Sequence, residues 1–156
     1  MKPLVLRTGV LCALFVLSIV PAAAELQFEG WGPRVGIADD PDQGIVGVHF
    51  DLSDRMRRLL FRPSVELGFG DDVDTLMGNA LLAYRFDTRS DVDPYAGGQI
   101  VAALFDPDKG DEDTEIGIAA VGGIEFATRG GYRFHVELQL GFGDIHDVKL
   151  MGGWTF

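Results

Sequence analysis

The residues "YRFHVELQLGFG", 132–143, place an apolar or aromatic side chain at every second position. Tyr132, Phe134, Val136, Leu138, Leu140 and Phe142 fall on one face of an extended chain. Arg133, His135, Glu137, Gln139 and Gly141 fall on the other. A period of two is the pattern of a strand with two unlike faces. It leaves open which face is inside. If the apolar face is the core, the chain is a soluble sandwich or barrel. If the charged face is the interior, the apolar face must meet lipid.

The same alternation recurs along the chain, separated by turn signals, and residues 25–156 carry no convincing helical pattern. Eight strands are expected, at about 30–38, 44–52, 59–69, 75–86, 93–105, 115–127, 131–143 and 147–156. Most reach the roughly 9–11 residues that a tilted strand needs to cross a bilayer.

Sorted by parity, one face carries Trp31, Val35, Ile37, Val46, Val48 and Phe50, then Phe61, Val65, Leu67, Phe69, Leu82 and Tyr84. It continues through Ile100, Ile116, Ile118, Ile124, the opening set, Val148, Leu150, Trp154 and Phe156, with no charge inside the strands. The other face carries Arg34, His49, Asp51, Arg62, Glu66, Arg85, Tyr95, Gln99, Glu125, Arg133, His135, Glu137 and Lys149 among many glycines. On a soluble barrel this set would be the wet exterior. Such exteriors favour flexible Lys and Glu, whereas here one Lys is present and Gly stands beside Arg and Tyr. That suits a narrow eight-stranded barrel filled by its own side chains.

The ends of the strands differ. Trp31, Phe61, Tyr132 and Phe134 begin odd strands, and Phe50, Tyr84, Phe86, Phe126, Trp154 and Phe156 end even ones. Antiparallel order brings all ten to one end, as an interfacial aromatic girdle requires. The connections there include Arg55, Arg57, Arg58, Arg89 and Arg129. Those at the opposite end hold Asp39, Asp40, Asp42, Asp71, Asp72, Asp74, Asp106, Asp108, Asp111, Glu112, Asp113, Asp144 and Asp147, with Lys109 as their only base.

Residues 1–24 read as a cleaved secretory signal. Lys2 and Arg7 precede the apolar run "VLCALFVLSIV", and Ala22, Ala23 and Ala24 supply the small-residue site. A retained anchor is the alternative, but the run is short of the about 20 residues of a spanning helix. Cleavage removes the lone Cys12, so no disulfide can form. It also takes two of the 13 basic residues and none of the 24 acidic ones, leaving a formal charge of −13. No basic stripe remains for nucleic acid.

With these residues in view, the chain resembles the small eight-stranded outer-membrane barrels of Gram-negative bacteria, the group of the outer membrane protein A transmembrane domain and outer membrane protein X. The ending "KLMGGWTF", with Val148, Leu150, Trp154 and Phe156 alternating, resembles the family's assembly signal. "VDPYAGGQIVAALF" and "IAAVGGIEF" resemble its strands. The outer connections are shorter than is usual there, which argues against an adhesin-like role. The resemblance implies an all-β, up-and-down transmembrane barrel, 25–156, in the outer membrane, monomeric and without cofactor. Its partners would be outer-membrane lipids, lipopolysaccharide and the barrel-assembly machinery, the last through Phe156.

The expected role is structural, with the lumen plugged by Arg34, Asp51, Arg62, Glu66, Arg85, Glu125, Arg133, His135 and Glu137. Two alternatives stand beside it. A lipid A-modifying enzyme would need a serine beside its base; Ser64 is the only serine placed inside a strand, and no spacing joins it to His49 or His135. A soluble periplasmic barrel would need an apolar cavity. His146 is expected to be solvated beside Asp144 and Asp147. Asp106, Asp108, Asp111 and Asp113 in "DPDKGDED" are weak cation candidates, since hard cations take several oxygens. The EF-hand register fails there, with Gly110 at a ligand position and Asp111 where the glycine belongs.

Overall fold

A computed structural model describes residues 26–39, 42–70, 73–88, 90–107, 113–128, 130–143 and 145–156. The strands are β1 (Gln27–Asp39), β2 (Gln43–Ser53), β3 (Leu59–Phe69), β4 (Val73–Arg85), β5 (Val92–Pro107), β6 (Asp113–Ala127), β7 (Arg133–Phe142) and β8 (Val148–Thr155). Each pairs antiparallel with its sequence neighbour, and β8 returns to β1 to close the barrel. The expected signal segment lies outside the described residues, as do Asp40, Asp71, Asp72, Asp108, Asp111, Glu112 and Asp144. Of the cation candidates, Asp106 and Asp113 are described only as strand positions.

Closure is carried by the β1–β8 ladder, from Arg34 opposite Gly153 to Asp39 opposite Val148. Beyond it, the Phe156 amide donates to the Trp31 carbonyl at 2.9 Å, and the Trp31 amide donates to the Phe156 carbonyl at 3.3 Å. A closed sheet has no free edge. β1 starts three residues earlier than the alternation suggests, because its register shifts between Phe28 and Gly30. One extra residue in a strand is a β-bulge, and here it is Glu29. Gly30 sits at φ +150°, where an added Cβ would lie 2.3 Å from the Phe156 carbonyl oxygen.

Polarity runs opposite to that of a water-soluble barrel. Ile37 and Ile118 on the outside are 63% and 59% exposed, while Arg34, Arg62, Glu66 and Glu137 inside are 0–1% exposed. Glycines make room for the larger lumen groups: a Cβ on Gly123 would lie 2.4 Å from the Tyr95 ring, and one on Gly153 would lie 2.6 Å from the His135 ring. The interior is not purely polar, however. Leu60, Leu81, Ala83 and Val121 cluster beside Tyr95, and Ala38, Ile45, Met77, Ala103 and Met151 form a second buried cluster.

The aromatic belt is joined by ring contacts between Tyr132 and Phe156 (centroids 5.2 Å apart) and between Phe134 and Trp154 (5.0 Å). Two expectations are corrected. Phe61 is buried against Ala80, with Leu26 and Leu52 beside it, and so is not part of the exposed belt. Phe69 and Phe142 are exposed at the other end, because those two strands carry their outward alternation through to their last residues. The belt is strongest at one end and not confined to it.

Candidate functional site: the ion-paired lumen

Inward parity delivers charged groups from every strand but β5 to one enclosed volume, where each unpaired charge would be costly. Arg62 on β3 is the hub. Its Nε donates to Asp51 Oδ1 at 2.6 Å and its Nη2 to Asp51 Oδ2 at 3.2 Å, a bidentate pair. Nη2 also reaches Glu125 Oε2 at 3.2 Å, while Nη1 donates to the Tyr95 hydroxyl at 3.0 Å and Glu137 Oε2 at 3.2 Å. The Tyr95 hydroxyl donates to the same Glu137 oxygen at 2.8 Å.

Arg34 bridges Glu137, through a very short contact, and Glu66 at 3.2 Å. Lys149 Nζ donates to the other Glu66 oxygen at 2.8 Å. At the aromatic end, Glu29 accepts from Arg57 at 2.6 Å, Arg133 at 2.8 Å and Arg85 at 3.3 Å. Arg85 and Arg133 also face Glu125 at 3.3 and 3.4 Å. Arg57, Arg58, Arg85, Arg133 and Glu125 line a pocket of about 260 Å³ at that mouth.

All nine expected lumen residues lie inside, Arg133 half-buried at the mouth. Those nine are five bases, His135 among them, and four acids; the observed balance differs. Arg34, Arg62, Arg85, Arg133 and Lys149 face Glu29, Asp51, Glu66, Glu125 and Glu137, five against five within the strands. His135 is not one of the paired bases: its ring stands edge-on to His49, with centroids 4.8 Å apart, and neither of its nitrogens has a hydrogen-bond partner among the described residues. Glu29 and Lys149 take its place. The clue to Glu29 is in "LQFEGW", where Phe28 and Trp31 are both outward types three apart, a spacing that only a bulge allows.

The groups weighed as catalytic are disposed otherwise. The Ser64 hydroxyl donates to Glu66 Oε1 at 3.0 Å and accepts from Asn79 and Arg34. The His49 Nε2 contact is Thr155 Oγ1 at 3.0 Å, and that hydroxyl donates to Asp51 at 2.8 Å. Among the described residues no three His, Cys, Asp or Glu groups are set to hold a metal ion.

His146 departs from expectation. It is 5% exposed, with Nε2 3.2 Å from Met77 Sδ and its ring 6.4 Å from that of Phe105. The β7–β8 connection folds back over the acidic mouth, held by the Gly141 amide donating to the Asp147 carbonyl at 2.9 Å. Gly141 and Gly117 leave the space that His146 and Ile145 occupy; a Cβ at Gly141 would lie 2.0 Å from the His146 carbonyl oxygen.

Fold and interior together define a closed eight-stranded up-and-down barrel, ion-paired within and apolar without. The solved structure of Neisserial surface protein A (NspA) is similar to it, with a TM-score of 0.61 and 17% identity over 80% of this chain and 92% of that one. At this identity the likeness speaks for the fold. No family model and no curated protein matches the sequence.

Proposed function

We propose that the chain is a small outer-membrane barrel protein with a plugged lumen and a structural role in the envelope, without catalysis. The observation that carries this reading is the inverted polarity: fully buried ion pairs inside a wall whose outward Val, Ile and Leu side chains are exposed. Lipid is the solvent that such a wall suits, and a closed sheet leaves no backbone group for lipid to satisfy. Trp31, Tyr84, Tyr132 and Trp154 are the residue types that anchor at a bilayer interface. The barrel neighbour is, by its name, a surface protein.

In this reading residues 1–24 direct export and are removed. The aromatic end faces the periplasm and the acidic end faces out, against lipopolysaccharide. The outward face of β8, with Val148, Leu150, Trp154 and Phe156, is what the assembly machinery would engage, and the finished barrel works as a monomer. The likeness to outer membrane proteins A and X rests on the sequence motifs quoted above.

The test is fractionation. The mature chain should float with outer membranes, resist salt and carbonate, and run faster on gels before boiling. Recovery as a soluble periplasmic protein would overturn the proposal.

A further inference from the structure

One non-glycine residue among those described sits in the left-handed region of the backbone, Arg57 at φ 57°. That conformation is uncommon for a residue with a Cβ, and such residues collect at ligand clamps. Arg57 is pinned on both sides. Its amide donates to the Asp54 carbonyl at 2.9 Å, and its carbonyl accepts from Arg85 Nη1 at 3.0 Å. The Asp54 carboxylate holds the next two amides. The β2–β3 turn is thereby fixed at the aromatic-end mouth, where Arg57 and Arg58 both line the pocket of about 260 Å³.

The charges of that pocket are not all spent. Arg57, Arg85 and Arg133 pair with Glu29, and Arg85 and Arg133 also face Glu125. Among the described residues, the Arg58 guanidinium and the Asp93 carboxylate have no hydrogen-bond or ion-pair partner. Both line the pocket, and they stand too far apart to pair with each other. Arg58 is exposed, but Asp93 is half-buried and lies directly opposite Glu125 in the β5–β6 ladder. Like charges so placed repel, and a cation on Asp93 would relieve them.

We propose that this mouth binds a short zwitterionic peptide, its carboxylate on Arg58 and its terminal ammonium on Asp93. A guanidinium fork matches a carboxylate, and an ammonium is a compact donor to one. A simple anion would be repelled by Asp93 and Glu125, and a simple cation by Arg58. A molecule carrying both charges meets a partner for each. Met56, 75% exposed on the turn, and Ala127 also line the pocket and offer small side chains an apolar contact. The pocket is smaller than the about 300–1,000 Å³ of drug-sized sites, so a ligand of dipeptide size suits it. The site requires only the barrel and its turn, and is independent of the envelope role proposed above.

The experiment uses the purified protein in detergent, labelled with ¹³C at the methionine methyls and ¹⁵N on the backbone, and titrated with alanylalanine. Met56 reports from the pocket, while the buried Met77 and Met151 are the references. Alanylalanine should shift the Met56 methyl and Arg58 amide signals saturably and leave the references in place. The Kd should be on the order of 1 mM, because exposed charge pairs contribute little each. N-acetylation leaves the peptide only its carboxylate, and amidation only its ammonium. Each blocked peptide should bind at least about fivefold more weakly, and Arg58→Gln and Asp93→Asn should weaken the parent peptide as much. Without ligand, Asp93→Asn should unfold no earlier than the parent, since it removes the repulsion from Glu125. No saturable shift at Met56, equal binding of either blocked peptide, or parental affinity in folded Arg58→Gln would each overturn the proposal.

Discussion

Arg62 and Asp51 stand side by side on β3 and β2, joined by two hydrogen bonds of 2.6 and 3.2 Å at the point where the ladder between these strands is interrupted. The interruption falls at Pro63, which has no amide to donate. The side-chain pair therefore spans a break in the backbone pairing, and the same guanidinium also holds Glu125 and Glu137. Arg62→Met would leave three carboxylates short of a partner, and should cost about 3–5 kcal/mol of stability. Arg62→Lys keeps the charge but loses the fork, and should fall between the two. Urea unfolding in lipid vesicles measures both. An Arg62→Met barrel as stable as the parent would show that the network contributes nothing.

Glu66 is shared by Arg34 and Lys149. Glu66→Gln should destabilise the barrel by about 3 kcal/mol, because two buried cations lose an anionic partner. Asp147→Asn, at an exposed position, should change stability by less than about 0.5 kcal/mol. The double variant Glu66→Gln with Lys149→Met should cost less than the two single changes added together, since contacting residues couple. Additivity within error would contradict the pairing.

Asp54, in the β2–β3 turn, accepts from the amides of Leu59 at 2.9 Å and Arg58 at 2.8 Å. These backbone donors, Leu59 foremost, hold its carboxyl below the usual range. A carboxylate with a lowered folded pKa stabilises fully above its unfolded value of about 3.9, and that contribution is lost as pH falls through the folded value. The turn should therefore be indifferent to pH near neutrality and loosen only in acid. Asp54→Asn, which keeps the accepting oxygen, should abolish the acid dependence, and Asp54→Ala should loosen the turn at every pH. The amide shifts of Arg58 and Leu59, followed against pH, decide this. A midpoint at or above the ordinary aspartate value would contradict it.

Legibility differed from strand to strand. In β7 as far as Gln139, and in β2 from His49 on, every second residue is polar, so parity assigns His49, Asp51, His135 and Glu137 to the interior without ambiguity. In β4, β5 and β6 both parities are apolar, as in "LMGNALLAY" and "IAAVGG". There the alternation hides Met77, Leu81, Val101 and Val121, which fill the lumen between the charged layers. Parity also names a face, never a partner: that Lys149 meets Glu66 depends on stagger around the closed sheet. Glu29 was lost to a bulge and His146 to a turn whose inward fold depends on two distant glycines.

The last expectation concerns conduction. From Glu29 and its arginines at one mouth, the lumen passes through the Arg62 network and the Glu66 group to Met77, Ile145 and His146 at the other. The largest of the fully buried side chains in this path are Arg34, Arg62 and Tyr95. Close-packed interiors hold few voids larger than a water molecule, and ions cannot pass where water cannot. The native barrel should therefore show no steady current in planar bilayers. Replacing Arg62 and Tyr95 together by alanine removes two of these large groups at the hub and strands Asp51, Glu125 and Glu137, which should draw in water and produce brief, cation-preferring openings. Large steady currents from the native chain would show that the lumen is a pore and not a plug.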